Sequence, residues 1–149
     1  MNFHSSLLLA AVLAVTALPA NAQYGPPPPA HGGADSPLEK QMQILARGKR
    51  QLSAQVADPA KQQQNLALIE SLKQATATSK TLDPRKTASV PAADREKFLA
   101  SYRAQMDKLT DAFNQMEEAV KTSQYDKAKS LLGELQSVMK EGHREFKQD

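Results

Sequence analysis

The C-terminal stretch from Tyr125 to Lys147 constrains the fold most strongly, because its apolar residues recur at three- and four-residue steps. This spacing places them on one face of an α-helix. The apolar face consists of Leu131, Leu132, Leu135, Val138, Met139 and Phe146. His143 falls on the same face, three residues before Phe146. A histidine in that position calls for an explanation, which depends on what the other helices place opposite it.

Three further segments show helical spacing, and their starts carry recognisable signals. Ser36-Pro37-Leu38-Glu39 is a capping box with proline at the first helical position, and it predicts the start of the first helix. Asp58 followed by Pro59 predicts the start of the second. The third is predicted from near Pro91 to about Lys121. The apolar positions are, in turn, Leu38, Met42, Leu45, Leu52 and Val56; Leu66, Ile69 and Leu72; and Phe98, Tyr102, Met106, Leu109, Phe113, Met116 and Val120.

The connections between these segments predict the topology. No part of the sequence shows the alternation typical of a strand. Two of the links are short: the one that leads into Asp58 and the one from Thr122 to Gln124. Only the segment from Thr81 to Val90 forms a longer connection. Short links join antiparallel neighbours, so we expect residues 36–149 to form an all-α, antiparallel up-down-up-down four-helix bundle.

The N-terminal residues predict export. Residues 1–22 contain an uncharged apolar run and end in Ala20-Asn21-Ala22, which is typical of a cleavable signal peptide. Residues 23–35 include four consecutive prolines and predict a Pro/Gly-rich disordered arm. The chain has no cysteine, so disulfides, thiolate metal sites and the covalent attachment of a c-type haem are excluded. We expect no membrane span after the signal is cleaved.

The charged residues disfavour two classes of function. The net charge of +3 is spread along the chain, and the densest basic group, at Arg47, Lys49 and Arg50, is small. This pattern is typical of solvated helix faces, and we expect no binding of nucleic acid. There is no Glu-x-x-His pair and no nucleophile constellation, so we do not expect an enzyme.

The bundle topology predicts what lies opposite His143. One end of the bundle collects the starts of helices one and three and the ends of helices two and four. Met42 and His143 then lie at a similar level, roughly 6–8 Å from that end at about 1.5 Å per residue. The same layer is expected to contain the aromatic residues Phe98, Tyr102 and Phe146, faced by small residues between Ala75 and Ser79 of helix two.

This layer has two interpretations. A thioether, an imidazole and aromatic walls suit a flat apolar cofactor, and methionine with histidine is a known axial pair for haem iron. Alternatively, Met42 fills the core and His143 is a solvated residue near a helix end, as such residues usually are. The residues by themselves leave both interpretations open.

The order and spacing of several motifs resemble the soluble periplasmic cytochrome b562 family. They are Leu38-Glu39-Lys40-Gln41-Met42 early in helix one, the Asp58 entry to helix two, a proline-containing second loop, Phe98 and Tyr102 four apart in helix three, and His143 near the C-terminus. The resemblance covers the whole domain after the arm. The sequence departs from the family pattern in the added arm, in Lys49 at an apolar position, and in Gly142 beside His143.

The resemblance implies a function. Met42 and His143 would be the axial ligands of one non-covalent haem b, with its iron, and Phe98, Tyr102 and Phe146 would contact the haem. The protein would be a monomeric periplasmic single-electron carrier that acts with a redox protein partner not identified by the sequence. The alternative is a haem-free periplasmic helical bundle that acts as a stress or chaperone-like binding protein.

Overall fold

A computed structural model describes residues 36–147 and shows four α-helices, with short connections after α1 and after α3 and a longer connection between α2 and α3. The described residues contain no β-strand. The predicted signal peptide and arm, residues 1–35, lie outside the described residues, as do residues 148–149. The prediction of an all-α four-helix bundle is confirmed. The helices are α1 (Pro37–Gln55), α2 (Gln62–Lys80), α3 (Arg95–Lys121) and α4 (Tyr125–Phe146).

The capping residues define the starts of the first two helices. The Ser36 hydroxyl accepts a hydrogen bond from the Glu39 amide at 3.2 Å, and the Glu39 carboxylate accepts one from the Ser36 amide at 2.7 Å. This reciprocal pair satisfies two amides that the first turn of a helix leaves without partners. Asp58 accepts a hydrogen bond from the Ala60 amide at 2.9 Å. It caps a single 3₁₀ turn, Pro59–Lys61, from which α2 continues.

The core runs along the bundle axis, and the helix pairs around it do not all pack equally closely. The helix pairs that follow one another in the chain pack closely, whereas α1 and α4 approach each other at few positions. Fully buried side chains stabilise a fold by about 1.5–3 kcal/mol each. Those of the core include Leu45, Leu52, Ile69, Leu72, Phe113, Met116, Val120 and Leu135. The loose contact between α1 and α4 leaves room for a cavity between them.

Gly48, which lies outside the predicted apolar face of α1, packs directly against Leu72 of α2. It is buried, and a Cβ atom built on it would lie 2.4 Å from a methyl carbon of Leu72. The neighbouring Lys49 lies at the edge of the face, and its ammonium donates a hydrogen bond to the Gln136 side chain at 3.3 Å.

Among the helices of residues 36–147, none combines the length and the apolar character that a membrane span requires.

Candidate functional site

A cavity of about 680 Å³ opens between α1, α3 and α4, at the end of the bundle where α1 begins and α4 ends. Its volume falls within the range of about 300–1,000 Å³ that is typical of small-molecule sites. The connection between α2 and α3 contributes Pro84 and Arg85 to its lining. The cavity therefore occupies the gap that the loose packing of α1 against α4 leaves open.

The inner wall of the cavity is apolar and its rim is polar. Inner lining residues that are buried include Leu45, Tyr102, Met106, Leu109 and Phe146. The rim carries Ser36, Glu39, Arg85, His143 and Lys147, the last three of them exposed to solvent. Such a cavity suits an amphipathic molecule that has a broad apolar body and a polar edge.

Met42 and His143 line this cavity from two different helices. Met42 lies on α1, is partly buried, and packs against both apolar clusters of the bundle. His143 lies on α4. Two more methionines, Met106 on α3 and Met139 on α4, also line the cavity. Met139 lies one helical turn before His143 on the same helix, so it cannot approach a shared ligand from the opposite side.

The environment of His143 favours the neutral imidazole. Partial burial against the cavity wall lowers the pKa of His143 below 6.5, and the positive charge of Lys147 lowers this pKa further. Only a neutral imidazole nitrogen has a lone pair to offer a metal ion. The site therefore favours the metal-binding form of His143 at neutral pH.

The hydroxyl of Tyr102 points away from solvent and is fixed to α2. It donates a hydrogen bond to the Ser79 carbonyl at 2.8 Å, and burial, followed by the charge of Asp83, raises the pKa of Tyr102 to about 12. Small residues of helix two were predicted to face the aromatic layer, and Ser79 does so by accepting this bond. Residues 75–79 do not line the cavity itself; the ring of Tyr102 does.

The three predicted aromatic residues form one cluster, but only two of them line the cavity. The ring of Phe146 packs edge-on against Tyr102 at 5.4 Å and against Phe98 at 5.3 Å between ring centroids. Phe146 and Tyr102 belong to the lining, whereas Phe98 does not. Phe98 contacts the site through Phe146, because it lies one turn nearer the start of α3 than Tyr102.

Gln105 is a lining residue that the sequence analysis missed. It is buried at 4% exposure, and its side-chain amide donates to the Val138 carbonyl of α4 at 2.8 Å. A Cβ atom on Gly142 would lie 3.3 Å from the Gln105 side chain, so the glycine gives this amide room. The only signal in the sequence was its position three residues after Tyr102, on the inner face of α3.

Comparison with known proteins identifies the family. The family model for cytochrome b562 matches residues 37–147, which span all four helices and the cavity. No curated protein and no solved structure matches the chain. Members of this family are four-helix bundles that bind b-type haem and carry electrons, and they are not enzymes. The chain belongs to the cytochrome b562 family.

Proposed function

We propose that the protein is a periplasmic single-electron carrier that holds one non-covalent haem b through Met42 and His143. The observation that carries the proposal is that these two side chains line one cavity from two separate helices, α1 and α4. A thioether and an imidazole form a known axial pair for haem iron, and the thioether favours the reduced state. Haem supplies the one-electron couple when it is bound.

The cavity residues fit such a group. The buried apolar wall, with Tyr102 and Phe146, would contact the porphyrin and keep water away from its faces. Phe98 would support the site indirectly, by holding the Phe146 ring edge-on. The chain has no cysteine, so the haem would be held by coordination and packing rather than by covalent bonds. With two protein ligands on the iron, no position would remain for a substrate.

The family and the N-terminal sequence support the proposed periplasmic location. Cytochromes b562 are periplasmic proteins, and residues 1–22 have the pattern of a cleavable export signal. A small carrier in that compartment would exchange electrons with a redox protein partner, and we expect it to act as a monomer.

Haem titration of the purified mature protein tests the proposal. We expect a 1:1 complex with the spectrum of low-spin haem in the reduced state. His143→Ala should abolish most haem binding, because the imidazole is the stronger ligand. Met42→Ala should retain haem but shift the iron towards high spin and lower the reduction potential.

Met139→Ala provides the matched control. Met139 is also partly buried and also lines the cavity, so its removal creates a comparable loss of packing. It should leave the low-spin spectrum unchanged. A low-spin spectrum that survives Met42→Ala but not Met106→Ala would assign the second ligand to α3 instead. A protein that binds no haem at all would favour the haem-free binding protein.

A further inference from the structure

The rim of the cavity carries charges that the proposed axial ligands do not explain. Arg85, on the connection between α2 and α3, forms an ion pair with Glu39 of α1 at 3.0 Å, and both residues line the cavity. The second cation of the rim is Lys147, the residue that follows α4. The inner wall offers no comparable charge, since its buried residues are apolar apart from Gln105.

Haem b is itself amphipathic, with two propionate carboxylates on one edge of an otherwise apolar ring. A carboxylate in an apolar cavity loses its hydration at a cost of several kcal/mol. The propionate edge of a bound haem would therefore lie at the polar rim. Arginine is the side chain best suited to meet it, because its planar guanidinium presents five N–H donors and pairs with carboxylates in defined geometry.

We infer that Arg85 binds a haem propionate while it keeps its ion pair with Glu39, and that Arg85 thereby fixes the orientation of the haem edge at the rim. This inference rests on the proposed haem-binding function. A guanidinium has enough donors for two carboxylates, so the pair with Glu39 need not break. Arg85 is a positioning residue in this scheme, because it acts on the haem periphery and not on the iron.

The structure holds Arg85 in place more firmly than Lys147. The segment Arg85–Ser89 forms a 3₁₀ turn, and the next residue, Lys86, donates through its ammonium to the Glu145 carbonyl of α4 at 2.7 Å. The connection is thus tied to α1 through Arg85 and to α4 through Lys86, across the end of the gap between those helices. A side chain that is already ordered loses less freedom on binding its partner.

Comparison of two porphyrins isolates the contribution of the propionates. Ferric protoporphyrin IX and its dimethyl ester differ only in the two carboxylates, so damage to the fold should weaken the binding of both. We expect Arg85→Gln to raise the dissociation constant for ferric protoporphyrin IX by about two- to fivefold, as is typical for an exposed ion pair. The dissociation constant of Arg85→Gln for the ester should stay unchanged. Arg85→Lys should restore part of the affinity for ferric protoporphyrin IX that Arg85→Gln loses.

Two further variants sharpen the test. Arg103→Gln removes the same charge from an exposed position of α3 outside the cavity and should leave both constants unchanged. Glu39→Gln keeps a side chain that can serve in the capping box. It removes the ion-pair partner of Arg85 and should change the affinity for ferric protoporphyrin IX while leaving the affinity for the ester unchanged. The effect of Arg85→Gln should also shrink at high ionic strength, since the proposed pair of Arg85 with the propionate would lie at the exposed rim.

The outcomes separate this inference from the proposed function. Equal weakening of both porphyrins by Arg85→Gln would show a purely structural role and overturn the inference, while the haem site would stand. A selective loss in Lys147→Gln, with Arg85→Gln unaffected, would also overturn it. Failure of the unaltered protein to bind either porphyrin would refute the proposed function and the inference with it.

Discussion

Two glycines inside helices should respond in opposite ways to the same substitution. Gly48 on α1 and Gly133 on α4 both lie in helix interiors, where alanine is more favourable than glycine by about 0.5–1 kcal/mol. The structure places nothing within 4 Å of a Cβ atom added at Gly133. We therefore expect Gly133→Ala to raise the free energy of unfolding by the full gain in helix propensity, about 0.5–1 kcal/mol.

At Gly48 the same methyl group meets Leu72. The added Cβ would lie 2.4 Å from one methyl carbon of Leu72 and 3.0 Å from two further carbons of that side chain. Leu72 is completely buried, so it cannot swing into solvent. Overpacking of this kind costs about 1–3 kcal/mol, and the severity of the contact argues for the upper part of that range. After the gain in helix propensity, Gly48→Ala should lower the free energy of unfolding by about 1–2 kcal/mol.

A double-mutant cycle tests whether Leu72 is the cause. Leu72→Ala alone should cost about 2–5 kcal/mol, because it leaves a cavity. In that background the contact is gone, so Gly48→Ala should become stabilising. Urea denaturation, followed by the circular dichroism of the helices at one fixed haem concentration, measures all four variants. If Gly48→Ala is as stable as Gly133→Ala in the unaltered background, α1 and α2 can separate, and the rigid close approach is refuted.

Three further predictions follow from the polar and titratable groups. Hydrogen bonds from Lys121 and then from Lys73 lower the pKa of Glu117 below 4.5. The ionised carboxylate of Glu117 therefore stabilises the fold above pH 4.5, and this stabilisation is lost as the pH falls through the lower folded-state pKa. Glu117→Gln should cost about 1 kcal/mol at pH 7 and flatten this acid dependence in urea titrations at several pH values. The lowered pKa of His143 means that haem affinity, measured by titration, should begin to fall only below pH 6.5, and an affinity independent of pH down to strongly acid conditions would contradict imidazole ligation. Tyr102→Phe should lower the free energy of unfolding by about 0.5–1.5 kcal/mol, because the hydrogen bond to Ser79 is lost. Haem affinity should stay unchanged, since the Tyr102 hydroxyl is bonded to α2, and a large loss of haem affinity would show that this hydroxyl faces the cavity.

The sequence determined the elements of the bundle and their order. Helix periodicity and capping are local properties, so the capping box at Ser36 and the entry at Asp58 could be read directly, and the start of α1 lies where it was predicted. Short links then imposed antiparallel neighbours, which was enough to predict that Met42 and His143 share one end of the bundle. The structure brings both residues to one cavity, and their roles as ligands remain a prediction.

Only the tertiary structure decided how the helix faces meet. The rotation of each helix about its axis places Gly48 against Leu72 and turns Gln105 inward, whereas Phe98 stays outside the cavity lining. The reach of Arg85 to Glu39 joins residues from distant parts of the chain, and nothing local to either residue indicates it. Periodicity identifies the apolar face of a helix, but the packing of all four faces sets the rotation and the contacts, because each face must fill the volume that the other three leave.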